Sequence, residues 1–423
     1  MITPLNRMLA EVITEGSLTV YDKDGTSHRY GDGTGVAIVA RLHDQLIEWH
    51  LAADPEFAAG EGYRTGRLTL ESGNVYDLVE LATRNLKKRP FPRFSQRLTS
   101  ARHLLRGLNQ WNPMSRARRN VAHHYDIDPR IYDLFLDQDR QYSCAYFTAG
   151  AGLEEAQLAK KRHIAAKLAL DRGQRVLDIG SGWGGLAIYL AAMTGVEVTG
   201  VTLSEQQLAS SRERARAANL AGRARFDLAD YRNVTGSFDR VVSVGMFEHV
   251  GVPQFGAFFA CLSRLLKDDG VALLHTIGRS DRPCASNPFI SRYIFPGGYI
   301  PAMSEILAAI ERSGLICADV EVLRLHYAET LRAWRERFVR NRARAIEIAG
   351  EQFYRTWEFY LAGSEAAFRH QNLVVFQIQL TKRVETLPML RDYMVAAERR
   401  LAAIDGRLGP RTGIAVRRPL MRQ

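Results

Sequence analysis

The sequence predicts an α/β protein built on a mostly parallel sheet, and three observations carry that expectation. Residues 176–185, Val-Leu-Asp-Ile-Gly-Ser-Gly-Trp-Gly-Gly, run from an apolar stretch through a carboxylate into Gly180, Gly182, Gly184 and Gly185. Leu186–Ala192 then reads as a helix. Strand, glycine turn and helix in that order make a nucleotide-binding unit, where missing side chains let a ligand lie against the backbone near free N–H groups. Second, strand and helix patterns alternate from about residue 121 onward. Arg175–Ile179, Glu197–Val201, Ala224–Leu228, Arg240–Val244 and Val271–His275 read as parallel strands, with helices such as Glu205–Asn219 and Gln254–Leu266 between them. Third, Ala318–Leu323 and Leu373–Leu380 supply an antiparallel pair at the sheet edge, which makes a seven-stranded sheet.

Ahead of this region, residues 1–83 predict a small α+β unit. Leu18–Tyr21 and Thr26–Tyr30 flank Asp22-Lys23-Asp24-Gly25, a hairpin whose turn needs the glycine. Val36–Leu42 and Arg67–Leu70 continue it as strands, and Val75–Arg84 closes it as a helix. No nucleophile–base pair or ligand cluster stands out there, which points to binding rather than reaction.

Residues 84–120 form a basic connector. From Arg84 to Arg119 there are eleven Lys and Arg residues and no Asp or Glu, so this segment alone equals the net charge of +11. Leu86, Phe91, Phe94, Leu98, Leu104, Leu105, Leu108 and Trp111 are interleaved with the charges. That mixture suits an anionic membrane surface, at ~1 kcal/mol per basic group. Nucleic acid is the rival partner, and a solvated linker is the plain alternative.

Residues 121–390 hold the α/β pattern, and 391–423 read as a basic tail. Thr330–His370 is helical in period and rich in aromatics, among them Trp334, Phe338, Tyr354, Trp357, Tyr360 and Phe368. Core packing explains most such residues, and an apolar channel for a long acyl chain would use the same types.

At 423 residues the chain predicts two domains, and with 46% hydrophobic residues it is not of disordered composition. No apolar run approaches the ~20 residues that span a bilayer, and the first residues lack a signal-peptide pattern. Cys144, Cys261, Cys284 and Cys317 are scattered without metal-ligand spacing, so free thiols in a reducing cytoplasm are expected.

The glycine loop alone leaves the ligand open, because Gly180-x-Gly182-x-x-Gly185 also satisfies the dinucleotide fingerprint. Two neighbours decide. Asp178 would repel a pyrophosphate but attract a sulfonium and an amino-acid ammonium. The next strand ends in Thr202-Leu203-Ser204, with no carboxylate where a dinucleotide enzyme holds the ribose. The expected cofactor is therefore S-adenosylmethionine, with Thr202, Ser204 or Gln207 left to bind its ribose.

Seven motifs in order now carry a resemblance. They are His-His-Tyr-Asp at 123–126, Tyr-Ser-Cys-Ala-Tyr-Phe at 142–147, the loop at 180–185 and Val-Thr-Leu-Ser at 201–204. Met-Phe-Glu-His-Val-Gly at 246–251, Tyr-Ile-Phe-Pro-Gly-Gly-Tyr-Ile-Pro at 293–301 and His-Tyr-Ala-Glu-Thr-Leu-Arg-Ala-Trp at 326–334 complete the set. The chain resembles the cyclopropane-fatty-acyl-phospholipid synthases, within the group that includes mycolic acid cyclopropane synthases. The resemblance implies a Rossmann-like class I methyltransferase with a small α+β N-terminal lipid-binding domain.

It also implies site residues. A bound bicarbonate would be held by Glu248, His275 and Tyr327 through side chains and by Cys144 and Ile277 through backbone groups. Glu248 is expected to orient His275, and Cys144 to be neither nucleophile nor metal ligand. For the cofactor, Gly180, Gly182 and Gly184 would admit the methionine portion, with Asp178 beside it and Tyr142 and Ser143 closing over it. Thr202, Leu203 and Gln207 would lie at the ribose. Asp230 and Tyr231 would hold the adenine, although an acid at such a turn is also an ordinary helix cap. His123, His124 and Asp126 invite a metal reading, but no further ligands stand at suitable spacing, and no metal is expected.

The chemistry follows from the substrate. An isolated alkene is a poor nucleophile, so the methyl sulfonium must be held against it, dry and in line. Methyl transfer leaves a carbocation, and closing a ring requires a base that takes a proton from the new methyl. The expectation is a C-methyltransferase acting on the cis double bond of a phospholipid acyl chain at an anionic inner-membrane surface, without nucleic acid. Homodimerisation is implied by the resemblance alone. An alternative ending without ring closure gives a methylene- or methyl-branched chain or a methylated diene. A lipid- or nucleic-acid-binding protein on a vestigial fold is the reading from another class, and intact Glu248, His275 and Tyr327 argue against it.

Overall fold

A computed structural model describes residues 1–88 and 127–408. Most of the basic connector, His123, His124, Asp126 and the tail beyond 408 lie outside the described residues.

The first unit runs α1 (Thr3–Val12), β1 (Ser17–Tyr21), β2 (Ser27–Tyr30), β3 (Ala37–Leu42), α2 (Gln45–Ala53), α3 (Pro55–Thr65), β4 (Leu68–Ser72) and α4 (Val75–Lys88). Its sheet has the order β2-β1-β3-β4. The expected hairpin is present: Gly25 takes φ +80°, and Asp22 accepts from the Asp24 and Thr26 N–H groups at 3.1 and 2.9 Å. Alternation along the strands turns Leu18, Val20, Ile38, Ala40 and Leu42 inward, onto Leu5 and Met8 of α1, Ile47 of α2 and Leu81 of α4. The helices α1 to α3 add to what the sequence pattern predicts.

The second unit comprises α5 (Pro129–Tyr132), α6 (Leu153–Lys167), β5 (Arg175–Ile179), α7 (Gly185–Thr194), β6 (Glu197–Thr202), α8 (Glu205–Ala217), β7 (Ala224–Leu228), β8 (Phe238–Val244) and α9 (Phe255–Leu265). It continues with β9 (Leu266–Arg279), α10 (Pro288–Tyr293), α11 (Met303–Glu311), β10 (Ile316–Leu323), α12 (His326–Arg340), α13 (Arg342–Ala349), α14 (Glu351–His370), β11 (Leu373–Thr381) and α15 (Asp392–Leu408). The seven strands lie in the order β10-β11-β9-β8-β5-β6-β7. The pairs β7–β6, β6–β5, β5–β8 and β8–β9 are parallel, and β11 runs against both β9 and β10.

The antiparallel pair lies at one edge of the sheet, as expected, with β10 outermost and β11 between it and β9. The β11 residues from Val374 to Thr381 are all buried, as an inner strand covered on both faces requires, whereas β10 is largely exposed or half-buried.

Helices α12 to α14 form a roof over one end of the sheet. Trp334, Phe338, Tyr354, Trp357, Tyr360 and Phe368 pack against one another there, so the aromatic excess serves as core. The first unit docks on this roof, where Tyr63 donates to Glu358 at 2.7 Å, and on α10, where Gly60 lies against the Phe289 ring. Residues 392–408, assigned from sequence to a basic tail, form α15. That helix packs on α6 and α7 through Leu401 and Ile404, with Tyr189 donating to Asp405 at 3.2 Å.

Candidate active site

The carboxyl ends of β5, β6 and β8 open onto one cavity, where parallel sheets of this order bind ligands. Of the eleven residues expected to bind the cofactor, all but Gly184 line it. Gly184, at φ +78°, caps α7, and a Cβ there would meet the Phe226 ring and Ser211 at 2.8 Å. Its bareness lets the loop pack on β7 and α8 rather than admitting a ligand, which corrects its expected role. Gly182 leaves open space: at φ +53° a Cβ would meet nothing within 4 Å among the described residues.

Asp178 ends buried at the cavity wall. Its Oδ2 has no hydrogen-bond partner among the described residues, and burial lifts the carboxyl to about 7, with the nearby Lys160 charge opposing. A buried carboxylate with a free oxygen beside an open glycine fits an ammonium-bearing ligand. Lys160, on α6, was not legible as a site residue. It donates to Gln141 Oε1 and Ser143 Oγ at 2.7 Å each, and burial draws its amine down to about 8. It thereby ties the Gln141–Ser143 loop to the cavity floor.

The ribose candidates separate. Ser204 caps α8 by accepting from the Gln207 N–H, and it does not line the cavity. Thr202 Oγ1 donates to Gln207 Oε1 at 2.9 Å, which leaves the Gln207 NH2 group as the donor. Asp230 takes up the cap alternative: it accepts from the Arg232 N–H at 3.0 Å and pairs with the Arg232 guanidinium. Both residues line the cavity beside Tyr231. His249 and Gln254 line it as well, and burial holds the His249 imidazole at about 4.

Behind this cavity lie the residues expected to hold an anion. β9 presents His275 and Ile277 on one face, two residues apart. Glu248, on the short turn Phe247–His249, accepts from the Ile277 N–H at 2.7 Å through Oε1. Its Oε2 has no hydrogen-bond partner among the described residues, and burial raises the carboxyl to about 7. The expected Glu248–His275 orientation is not what forms. His275 Nδ1 instead meets Gln377 Nε2 at 3.1 Å, because β11 places Gln377 directly opposite His275 in register. Burial, with Lys160, Lys167 and His163 adding to it, pushes the His275 imidazole well below its usual value, so it is neutral.

Cys144, Tyr327, Ile277 and Tyr142 share one apolar cluster under the roof. Burial pushes the Cys144 thiol far up, which suits a residue that is not a nucleophile. The adjoining Ala145 N–H donates to Thr330 Oγ1 at 3.0 Å, fixing the loop to α12, whose first turn carries Tyr327. Tyr142 and Tyr360 hydroxyls meet at 2.9 Å and join loop to roof.

Comparison with known proteins agrees with this geometry. Residues 113–378 match the family described as mycolic acid cyclopropane synthetase. The cyclopropane-fatty-acyl-phospholipid synthase of Escherichia coli K12 is 38% identical over 281 residues, covering 66% of this chain and 72% of that one. The tuberculostearic acid methyltransferase UfaA1 of Mycobacterium tuberculosis is 35% identical over 403 residues, covering 89% and 90%. Among solved structures, mycolic acid cyclopropane synthase CmaA1 complexed with SAH and CTAB superposes with a TM-score of 0.60 at 33% identity, over 64% of this chain and 99% of that one. The chain belongs to the mycolic acid cyclopropane synthetase family of S-adenosylmethionine-dependent methyltransferases.

Proposed function

We propose that this enzyme adds a methylene across the cis double bond of a phospholipid acyl chain, closing a cyclopropane ring at an anionic membrane surface. S-adenosylmethionine, when bound, supplies an electrophilic methyl group. Asp178 is the residue to pair with its ammonium, Gln207 and Thr202 to meet the ribose, and Tyr142 and Ser143 to cover it. Buried aromatic rings of α12 and α14 offer π faces and exclude water, two conditions that a carbocation on the acyl chain needs.

A bicarbonate held by Glu248, His275, Tyr327 and the backbone at Cys144 and Ile277 would supply the base that ring closure requires. The observation that carries this reading is Glu248, with one oxygen held by the Ile277 N–H and the other buried with no hydrogen-bond partner among the described residues. Such an oxygen is satisfied by a hydroxyl hydrogen, which bicarbonate has and a plain halide lacks. Neutral His275 and the Tyr327 phenol complete a pocket able to donate to the remaining oxygens.

The test incubates the full chain with S-adenosylmethionine and vesicles of cis-unsaturated phospholipid and reads the lipid by proton NMR and mass spectrometry. Upfield ring protons are expected. Vinylic methylene or branched-methyl signals without them would replace ring closure by simple methylation. Stripping bicarbonate from the buffer should slow turnover, and turnover indifferent to its return would remove the anion from the reading. For the membrane, flotation on anionic vesicles should weaken steeply with salt. Binding that survives deletion of 84–119, or that RNA competes away, would count against the connector as the lipid contact.

A further inference from the structure

The loop that carries Tyr142, Ser143 and Cys144 is braced from behind by a stack of three rings. His163 of α6 is buried and meets a carboxylate at each nitrogen: Glu321 Oε2 of β10 at Nε2, 2.6 Å away, and Glu398 Oε1 of α15 at Nδ1. Lys167, one turn along α6, also pairs with Glu321. The His163 ring stacks on Tyr146 at 4.2 Å with 19° between planes. Tyr146 also stacks on His326 at 4.8 Å and 9°. His326 Nδ1 accepts from the Phe147 N–H at 2.9 Å, and burial holds that imidazole below its usual value, so it is the neutral ring this bond needs. Tyr327 is the next residue.

We propose that His163 is a positioning residue, which as an imidazolium between Glu321 and Glu398 fixes Tyr146 and thereby the active-site loop, making α15 part of the catalytic framework. Both nitrogens must donate to satisfy two carboxylates, and only the doubly protonated ring has two N–H groups. The outer partner, Glu398, lies beyond residue 378, where the family match ends, so this brace belongs to a segment that the family description does not span.

Among the described residues the charged groups facing the ring are Glu321, Glu398 and Lys167, with the titratable Tyr146 stacked on it; Lys160 lies one turn away on α6, and Arg324 adjoins His326. Burial lowers the His163 value, but the two carboxylates outweigh it and hold it above the usual imidazole range. The brace is therefore complete below about 6.5 and is lost as pH rises through the raised value.

The experiment follows amide exchange of residues 141–147 in the full chain against pH, with no substrate needed. It thus stays readable whatever lipid product the enzyme makes. In the wild-type protein, exchange beyond that set by hydroxide catalysis should rise about tenfold as the brace opens. His163→Phe, which keeps the stack but no charge, should show the opened rate at every pH. Glu398→Gln should move the transition to lower pH, and the same shift should appear in the alkaline limb of kcat. The Glu398 carboxylate is one-third exposed, so this variant folds even where His163→Phe does not. Glu398 also faces Tyr146, whose hydroxyl burial pushes up to about 12, so a transition below that range that shifts in Glu398→Gln belongs to His163. Identical exchange and kcat profiles in Glu398→Gln and wild type would overturn the proposal.

Discussion

The two ligand-facing regions each contain a buried carboxylate that burial holds well above its usual range, and their difference separates two tasks. Asp178 and Glu248 are both raised to about 7 by burial, and each has a buried oxygen without a hydrogen-bond partner among the described residues. Asp178 lines an open cavity and feels a lysine ammonium; Glu248 is held by neutral groups, the Ile277 N–H, its own N–H and the Thr276 hydroxyl. A carboxylate against a cavity that also feels a cation is prepared for a second cation. A carboxylate among neutral groups is prepared for a hydrogen-bond donor. On the proposed reading, the same residue class serves cofactor capture in one place and anion holding in the other.

Replacing Glu248 breaks that comparison most severely. Glu248→Gln keeps an oxygen for the Ile277 N–H but turns an N–H donor toward the place of the unpartnered acceptor. Turnover should fall about 10²- to 10³-fold, the usual effect of losing one preorganised polar contact at a reacting centre. Cofactor affinity, measured by calorimetry, should stay within about threefold, because the Glu248 contacts lie outside the cavity lining. A large loss of cofactor affinity would merge the two regions into one.

Asp178→Asn tests the other side and should do the reverse. The cofactor Kd should rise about 10- to 100-fold, the value of a charge-assisted bond in a buried site. In the wild-type protein the same affinity should weaken as pH falls below about 7, approaching tenfold per unit, since the cation needs the ionised carboxylate. That pH dependence should vanish in Asp178→Asn.

Much of the cofactor region was legible because its determinants are local. The glycine loop, Asp178 and the Thr202–Gln207 segment each follow a strand whose alternation is visible in a few residues. The anion region was legible only through motif resemblance, and its true connections were not. Gln377 reaches His275 because β11 is inserted within the sheet, and nothing in the apolar run Leu373–Thr381 shows which strands flank it. Lys160 sits in Lys160-Lys161-Arg162, which reads as a solvated helix face until α6 is packed with that face inward. The helix α15 left one signal unused, since Met394, Leu401 and Ile404 recur at helical spacing within the charged segment. Gly184 misled for the opposite reason: the loop pattern is indifferent to whether a bare Cα faces ligand or protein.

The smallest effect gives the comparison its finest test, because it is read in the protein without ligand. Both carboxyls titrate near 7 when folded and near 4 when unfolded, so between those values the folded state holds protons that the unfolded state has released. Stability from these groups therefore declines as pH rises through that window and is lowest above 7. Asp178→Asn and Glu248→Gln remove the penalty, and at pH 8 each should raise Tm by about 2 to 5 °C, with the gain gone by pH 4. Saturating S-adenosylmethionine then divides the pair. It should stabilise wild type and Glu248→Gln alike, by RT ln(1 + [L]/Kd), and lift Asp178→Asn by about 1.4 to 3 kcal/mol less. Equal thermal shifts in all three proteins would mean that the Asp178 oxygen never meets the cofactor, and the division of labour between the two carboxylates would fail with it.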